Sequence, residues 1–264
     1  MIRVENLVKK FGAVTAVDHI SFTVERGEIF AFLGPNGAGK TTTIKMLTTL
    51  LTPDSGTLEV DGLDPRVRAH EVRKRFGIVF QDPSLDSELT AQENMELHGV
   101  FFHVPRKLRI ARTTELLRIF DLWERRGQRV KFFSGGMKRR LEIARALLHT
   151  PKILFLDEPT LGLDPQTRNQ MWTQVKSLNQ EEQVTVFLTT HYMEEAERVA
   201  QRLAIIDHGK IVAQGSPQEL KQQTSTASLE DAFLALTGTQ IRDESANAGA
   251  DVMRQVAQMW SRRR

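Results

Sequence analysis

The 264-residue sequence contains no cysteine. Disulfide bonds, thiol catalysis and metal centres with cysteine ligands are therefore excluded, and a cytosolic location is the simplest expectation. Uninterrupted apolar runs reach only five residues, as in Ile29–Leu33, whereas a membrane-spanning helix needs about 20. The first residues also lack the basic, then apolar, then small order of a secretory signal. We therefore expect a chain that neither crosses a membrane by itself nor is exported.

A large excess of one charge sign is also absent. The 36 Lys and Arg residues oppose 33 Asp and Glu residues, which leaves a net charge of +3. Charge alone therefore gives no reason to expect a polyanionic partner. With 40% hydrophobic and 26% charged residues, the composition is that of a globular protein, and wholesale disorder is excluded. The length predicts one or two domains.

Two kinds of apolar pattern predict the strands. Ile20, Phe22 and Val24 alternate with polar residues, which predicts a half-buried antiparallel strand in the N-terminal part. Continuous apolar runs instead predict parallel strands that are covered on both faces. These runs are Ile29–Leu33, Ile153–Leu156, Val184–Leu188 and Leu203–Ile206. The patterns together favour an α/β core that follows a strand-rich N-terminal part.

Between about residues 87 and 150 no such run occurs, and spaced apolar residues predict helices. One set is Leu108, Ala111, Leu116 and Ile119, and the other is Met137, Leu141, Ala144 and Leu148. We interpret this region as an inserted helical subdomain.

The C-terminal part changes in character along its length. The segment Asp207–Lys210 separates two apolar runs and predicts a tight hairpin turn. Ser228 and Asp231 then predict the start of a short helix that ends at Gly238. We expect the polar stretch from Thr239 onward to be either mobile or ordered by a partner.

The strand predicted at Ile29–Leu33 leads into a phosphate-binding motif, G-x-x-x-x-G-K-[ST], in the strand-then-helix context that this motif requires. The motif and its flank are Gly34, Pro35, Asn36, Gly37, Ala38, Gly39, Lys40, Thr41 and Thr42. Glycines let backbone N–H groups converge on phosphate oxygens, and the following helix points its positive end at the same anion. We expect Lys40 to bridge the β- and γ-phosphates, Thr41 to bind Mg²⁺, and Thr42 to contact the α-phosphate. The alternative is a glycine-rich turn that only caps a helix.

Two acidic residues, Asp157 and Glu158, follow the buried strand predicted at Ile153–Leu156. In open α/β sheets, ligands bind at the carboxyl ends of the strands. We expect Asp157 to hold Mg²⁺, directly or through water, and Glu158 to point the other way and accept a proton from the attacking water. Acids that end a strand can also be simple turn or cap residues, but the phosphate-binding motif favours the functional interpretation.

With these motifs the chain resembles an ATP-binding cassette, the nucleotide-binding subunit of an ABC transporter, over about residues 2–220. The further matching motifs are Gln81, Phe133–Met137, Leu161–Asp164 and His191. The resemblance implies a P-loop NTPase (RecA-like) α/β core with an N-terminal antiparallel β subdomain, an inserted α-helical subdomain and a short C-terminal extension. It places the nucleotide-binding domain at residues 1–220 and the extension, with one short helix and a polar tail, at 221–264.

The resemblance also assigns roles to isolated residues. Gln81 corresponds to a glutamine that reaches Mg²⁺ and the attacking water, and His191 to a histidine that contacts the γ-phosphate. Taken alone, such a glutamine is typical of a surface and such a histidine of a structural position. Phe11 stands where the family commonly has an adenine-stacking tyrosine, and its ring still offers an aromatic face. The alternative for Phe11 is a simple core aromatic.

A second anion site is predicted at Ser134, Gly135 and Gly136, which precede a basic helix. Ser134 can act there as both helix cap and phosphate donor. The resemblance implies that ATP is held between the phosphate loop of one subunit and this signature sequence of a second copy, in a head-to-tail dimer. The signature departs from the family's usual sequence at Phe133 and Met137, and Met137 cannot donate the hydrogen bond of the usual glutamine. Closure around the nucleotide could therefore be tuned differently.

The resemblance extends to exporters of drugs, polysaccharides and nodulation factors. The residues that carry it are His191–Glu197, Gln81–Asp86 and Ser228–Phe233. It implies a Mg²⁺-dependent ATPase that works as two copies on a separate membrane permease, at the cytoplasmic face of the cell membrane. The exported substrate cannot be read from this chain, because its selectivity should lie in the permease.

The same motifs also occur in two classes of protein that do not transport. A non-transport ABC ATPase that clamps nucleic acid is favoured only by the basic pI of about 9.3 and by Arg262–Arg264. Such relatives generally carry paired cassettes, long coiled coils or zinc insertions, which this sequence lacks, so no nucleic-acid partner is expected. A catalytically silent nucleotide sensor is disfavoured because Lys40, Asp157, Glu158 and His191 are all present.

Overall fold

The computed structural model describes residues 1–238, and the predicted polar tail from Thr239 to Arg264 lies outside them. The strands are β1 (Ile2–Phe11), β2 (Val14–Val24), β3 (Ile29–Leu33), β4 (Ser55–Val60), β5 (Phe76–Val79), β6 (Ile153–Asp157), β7 (Thr185–Thr190), β8 (Arg202–Asp207) and β9 (Lys210–Gly215). The helices are α1 (Lys40–Leu47), α2 (Ala69–Arg73), α3 (Ala91–Phe101), α4 (Arg106–Ile119), α5 (Gly135–Ala146), α6 (Pro165–Glu182), α7 (Met193–Val199), α8 (Pro217–Thr224) and α9 (Leu229–Thr237).

The strands form two sheets. The smaller sheet is antiparallel, with the order β2-β1-β4, and the larger has the order β5-β6-β7-β3-β8-β9. In the larger sheet the first five strands are parallel, and β9 returns antiparallel to β8. The predicted α/β core with an N-terminal antiparallel sheet and helices inserted between β5 and β6 is therefore confirmed.

The strand β3 is buried on both faces, as its continuous apolar sequence predicts. Alternate residues, Phe30 and Phe32, pack with Phe22 of β2 and Phe187 of β7 between the two sheets. The ring centroids of Phe22 and Phe32 lie 5.4 Å apart, and those of Phe30 and Phe187 lie 5.8 Å apart. Each fully buried phenylalanine contributes about 1.5–3 kcal/mol relative to exposure. This aromatic core packs against β3 and its neighbour β7, and the phosphate loop begins where β3 ends.

The helices α3, α4 and α5 occupy the region that was predicted to be helical. In α4, however, the buried face differs from the predicted stripe, because Leu108 is 49% exposed and Ala111 is also exposed. Leu116 is buried as expected, and beside it lies the buried Arg112. The guanidinium of Arg112 donates to Glu182 at the end of α6 (2.6 Å). A buried arginine needs such a partner, and the apolar pattern alone could not identify it.

The hairpin predicted at Asp207–Lys210 connects β8 and β9, with φ of +44° at His208 and +79° at Gly209. The N–H of Gly209 donates to the carbonyl of Ala38 in the phosphate loop (3.0 Å), and its carbonyl accepts from the N–H of Asp18 (2.8 Å). The turn therefore supports the phosphate loop from one side.

Within the described residues, two helices follow β9. The helix α8, which was not predicted from the sequence, begins with a capping box of Ser216 and Glu219. The next helix, α9, begins after Ser228, which caps it through a hydrogen bond from the N–H of Asp231 (3.0 Å). Phe233 of α9 is buried in the core on the helical side of the larger sheet. Within residues 1–238 none of the helices combines the length and apolar character that a membrane crossing requires.

Candidate active site

The loop between β3 and α1 forms one wall of a cavity of about 290 Å³. The residues that line it are Ala16, Pro35, Asn36, Gly37, Gly39, Lys40, Thr41, Thr42, Gln81 and Glu158. Gly39 has a φ of +109°, and a Cβ there would lie 2.5 Å from the carbonyl oxygen of Ala16. A Cβ on Gly34 would lie 2.2 Å from the carbonyl oxygen of Ile206. The loop can therefore take this path only with glycine at both positions. Gly34 and Ala38 are buried behind it.

Lys40 is held in place by three oxygen atoms. Its Nζ donates to the carbonyl oxygens of Gly34 (2.7 Å) and Pro35 (3.2 Å), and it lies 3.2 Å from Oε1 of Glu158. Burial lowers the pKa of Lys40, while the negative charge of Glu158 opposes that effect. The side chain thus presents a cationic group in the cavity at the start of α1.

Asp157 ends β6 and lies beneath the cavity. One carboxylate oxygen accepts hydrogen bonds from the hydroxyls of Thr189 (2.6 Å) and Thr41 (3.4 Å). Burial raises the pKa of Asp157, and these two hydrogen bonds act in the opposite direction. Thr189 was missed by the sequence analysis. The available signal was a pair of threonines at the carboxyl end of the apolar run Val184–Leu188.

Glu158 has hydrogen-bond and ion-pair partners different from those of Asp157. Its φ is +48°, a left-handed value that costs energy in a residue with a Cβ. The N–H of Glu158 donates to the carbonyl and hydroxyl oxygens of Thr189 (both 3.1 Å), which stabilises this turn. The side chain then lies between Lys40 and His191, whose Nδ1 is 2.9 Å from Oε2.

The environment of Glu158 favours its ionised form. Burial by itself would raise the pKa of this carboxyl group, but the hydrogen bond from His191 and the charge of Lys40 together outweigh it, so that the pKa is lowered. Because an ionised carboxylate can only accept, Nδ1 of His191 is the donor in their contact. Glu158 therefore presents an ionised carboxylate to the cavity.

Gln81 follows β5 and lines the cavity from another side. Its backbone is held by α5: Arg139 donates to the carbonyl oxygens of Phe80 (2.6 Å) and Gln81 (2.9 Å). Arg139 in turn pairs with Glu142, 3.2 Å away. Nothing in the local sequence pattern distinguishes Arg139 from the other basic residues of α5, so its role could not be predicted.

The predicted signature residues and Phe11 are also absent from the lining of this cavity. Ser134, Gly135 and Gly136 lie at the start of α5, where the hydroxyl of Ser134 accepts from the N–H of Met137 (3.2 Å). Phe11, at the end of β1, is 50% exposed, with Nζ of Lys9 5.6 Å from its ring centroid. The interpretation of Phe11 as a simple core aromatic is therefore wrong.

A glycine-rich loop between a parallel strand and a helix, together with acids at the end of another parallel strand of the same sheet, defines a P-loop nucleoside triphosphatase. Residues 17–161 match the family described as ABC transporter. The daunorubicin resistance ATP-binding protein DrrA3 of Streptomyces coeruleorubidus is 44% identical over 223 residues, which cover 84% of this chain and 70% of that protein. The Nod factor export ATP-binding protein I of Ralstonia nicotianae is 45% identical over 220 residues, which cover 83% and 68%.

Solved structures agree with this assignment. The structure described as the ATP-binding subunit of an ABC transporter has a TM-score of 0.81 at 30% identity, and the match covers 90% of this chain and 99% of that one. The dimeric post-hydrolysis state of the cassette MJ0796, bound to ADP and Pi, has a TM-score of 0.74 at 28% identity, with 82% and 98% coverage.

The chain therefore belongs to the ABC transporter family and is an ATP-binding, ATP-hydrolysing subunit. The predicted resemblance to the drug-resistance and nodulation-factor exporter branch is confirmed, and the relatives give no support to the nucleic-acid alternative.

Proposed function

We propose that this chain energises export through a separate membrane permease, by closing on a second copy of itself around ATP and reopening after hydrolysis. One observation carries the proposal: beside the phosphate loop, Glu158 contacts both Lys40 and His191. Its Oε1 lies 3.2 Å from Nζ of Lys40, and its Oε2 lies 2.9 Å from Nδ1 of His191. This arrangement places a cation for the phosphates next to a carboxylate that can accept a proton. The names of the drug-resistance and Nod factor export relatives support the direction of transport.

The phosphate loop binds the triphosphate. Its backbone N–H groups and the N-terminus of α1 favour an anion, and no acidic residue lies in the first turn of α1. Lys40 contacts the β- and γ-phosphates, and Thr42 the α-phosphate. Phe11 offers an exposed ring on which the adenine stacks, since aromatic faces bind bases without regard to their hydrogen bonds.

The residues around Asp157 fit a magnesium ion. The hydroxyl of Thr41 and the carboxylate of Asp157 are 3.4 Å apart, and Gln81 lines the same cavity, so three oxygen-bearing side chains are available. Mg²⁺ prefers oxygen ligands and is commonly bound by one or two carboxylates with waters and substrate phosphates. Thr41, Asp157 and Gln81 would hold the ion there, and it would supply positive charge that offsets the charge of the phosphates.

Glu158 is the general base. Its carboxylate accepts a proton from the attacking water, and general-base catalysis of this kind contributes about 10²–10⁴-fold to a rate. His191 donates through Nδ1 to Oε2 and so fixes the orientation of the carboxylate. We also assign to His191 a contact with the γ-phosphate in the closed state, and to Gln81 a contact with the attacking water.

The second half of the site comes from another copy of the chain. Ser134 lies exposed at the N-terminus of the 12-residue helix α5, outside the cavity that Lys40 lines. The N-terminus of a helix that begins at an exposed serine can bind a phosphate. In a head-to-tail dimer, the signature residues Ser134, Gly135 and Gly136 therefore complete the site across the interface. The dimeric structure of MJ0796 supports such an arrangement.

The permease is an integral-membrane subunit, and its contact with this chain keeps the chain at the cytoplasmic face of the membrane. To test the proposal, the full chain is purified from detergent-solubilised membranes of its source, and the multi-span protein that accompanies it is reconstituted with it in lipid vesicles. We expect ATP hydrolysis that rises on reconstitution and is lost with Glu158→Gln. Salt-sensitive retention on DNA or RNA without a membrane partner would overturn the proposal, because such retention is the behaviour of a nucleic-acid clamp.

A further inference from the structure

Glu195 is a buried carboxylate in the first turn of α7, and it is not among the residues that line the cavity at the phosphate loop. The residue is only 5% exposed, whereas the adjacent Glu194 is exposed. Among residues 1–238 no Lys, Arg or His side chain forms an ion pair with Glu195. Burying a charged group without compensation is costly, so the hydrogen bonds that Glu195 accepts must account for its position.

Three neutral donors from three different segments satisfy this carboxylate. Oε1 accepts from the hydroxyl of Thr160 (2.6 Å) and from Nε1 of Trp172 in α6 (2.6 Å). Oε2 accepts from the hydroxyl of Thr190 at the end of β7 (2.7 Å). Hydrogen bonds to a charged group contribute about 1.5–3 kcal/mol each. One side chain therefore connects two loops at the carboxyl edge of the sheet to a long helix.

Each loop carries a residue of the proposed catalytic pair. Thr160 lies two positions after Glu158, and Thr190 immediately precedes His191. The hydroxyl of Thr190 also accepts a hydrogen bond from the N–H of Tyr192 (3.0 Å). The residues on both sides of His191 are therefore held in place by hydrogen bonds. The two loops are thus tied to one carboxylate at positions next to the groups that must meet.

We propose that Glu195 is a positioning residue for ATP hydrolysis: through Thr160 and Thr190 it fixes Glu158 and His191 at their contact distance. The proposal rests on the roles assigned above to Glu158 and His191. Glu195 does not touch the nucleotide and transfers no proton. Its effect on the rate arises because a displacement of about 1 Å in a reacting group can cost about 100-fold in rate.

The test compares Glu195→Ala with a matched variant, Asn179→Ala, in the full chain. Asn179 is likewise 5% exposed, and its amide donates to the carbonyl oxygens of Gly27 (2.8 Å) and Val184 (2.7 Å), at the opposite end of β7. We expect Glu195→Ala to lower kcat about 100-fold and to leave KM for ATP within about threefold, because the phosphate loop is untouched. Asn179→Ala should lower the melting temperature but change kcat little.

Two further variants separate positioning from general stability. Glu195→Gln keeps an oxygen acceptor for Thr160 and Trp172, and we expect it to recover part of the lost kcat. Thr190→Val conserves the side-chain volume but removes the hydrogen bond to Glu195. We expect it to lower kcat without changing KM. This variant tests the same link if Glu195→Ala fails to fold.

The results can separate this proposal from the one on which it rests. If Glu158→Gln is inactive while Glu195→Ala and Thr190→Val both retain normal kcat, Glu195 has no positioning role. The same conclusion follows if Asn179→Ala loses as much kcat as Glu195→Ala, or if Glu195→Gln recovers none. If Glu158→Gln itself hydrolyses ATP normally, the roles assigned to the catalytic pair are wrong, and the role of Glu195 fails with them.

Discussion

Glu158 and His191 are in contact although 33 positions separate them, with Nδ1 of the histidine 2.9 Å from Oε2 of the carboxylate. Glu158 follows β6 and His191 follows β7, and these neighbouring strands are parallel, with Asp157 paired to Thr189. Parallel strands bring their carboxyl ends to one edge of a sheet. The contact therefore depends on the order of the strands in the sheet, and it gives the proposed base a fixed orientation.

Replacing Glu158 with glutamine should separate binding from hydrolysis. Glutamine keeps the shape of the side chain but cannot accept the proton, so we expect kcat to fall by about 10²–10⁴-fold while ATP still binds and the dimer accumulates. Size-exclusion chromatography with light scattering, with and without Mg²⁺ and ATP, measures the dimer. Glu194→Gln, on the exposed side of α7, is the control. A variant that stays monomeric with ATP, or hydrolyses it normally, would contradict the role of Glu158.

Lys40→Ala should weaken nucleotide binding itself. The ammonium group contacts the phosphate loop directly, and a hydrogen bond to a charged group contributes about 1.5–3 kcal/mol, which corresponds to tenfold or more in affinity. A calorimetric titration with ATP measures the change. Lys45→Ala removes an equal charge from an exposed position of α1 and should leave the affinity near that of the wild type. Equal affinities of the Lys40 and Lys45 variants would exclude the proposed contact.

Ser134→Arg should block the dimeric site without unfolding the monomer. The substitution removes a helix cap, which costs about 1 kcal/mol, and places a bulky side chain where the nucleotide of the second copy would bind. Ser216→Arg is the matched control, because Ser216 also caps a helix through its hydroxyl. We expect ATP turnover to be lost only in the Ser134 variant, with similar melting temperatures in both. Unchanged turnover of Ser134→Arg would mean that each subunit hydrolyses ATP alone.

Two partly buried histidines should make the fold sensitive to acid. His98 and His149 stack on Phe102, with ring centroids 4.6 and 3.9 Å from it. Burial lowers the pKa of His98 to about 3 and that of His149 to about 4. In the unfolded chain their pKa is about 6.5, so below that pH the unfolded state binds more protons than the folded state. The free energy of unfolding should therefore be highest above pH 6.5 and fall by up to about 1.4 kcal/mol per pH unit for each histidine as the pH decreases toward 4.

Urea unfolding at pH 7.5 and 5.5 measures this loss. His98→Phe removes one titrating group from the stack and should reduce the difference between the two pH values. His70→Phe, at an exposed position, should leave the difference as it is in the wild type. If both variants show the wild-type difference, His98 does not contribute to the acid sensitivity.

Sequence reasoning failed where a residue's role depends on a distant partner. The apolar residues of α4 predicted the helix, but the buried face could not be read from them, because Arg112 is buried through its pairing with Glu182. Similarly, Thr189 and Glu195 look like ordinary polar residues in the sequence. Their importance comes from hydrogen bonds across strand and helix contacts that no local pattern encodes.

The sequence by itself determined the strand-loop-helix motif around Lys40, the acids Asp157 and Glu158, and the division between antiparallel and parallel strands. These features are local, since glycine at a tight turn, an apolar run and a polar residue at its end act through their own backbone and neighbours. Only the tertiary structure decided that Glu158 meets both Lys40 and His191, and that Glu195 joins their loops. Such contacts require that strands far apart in the chain become neighbours in one sheet.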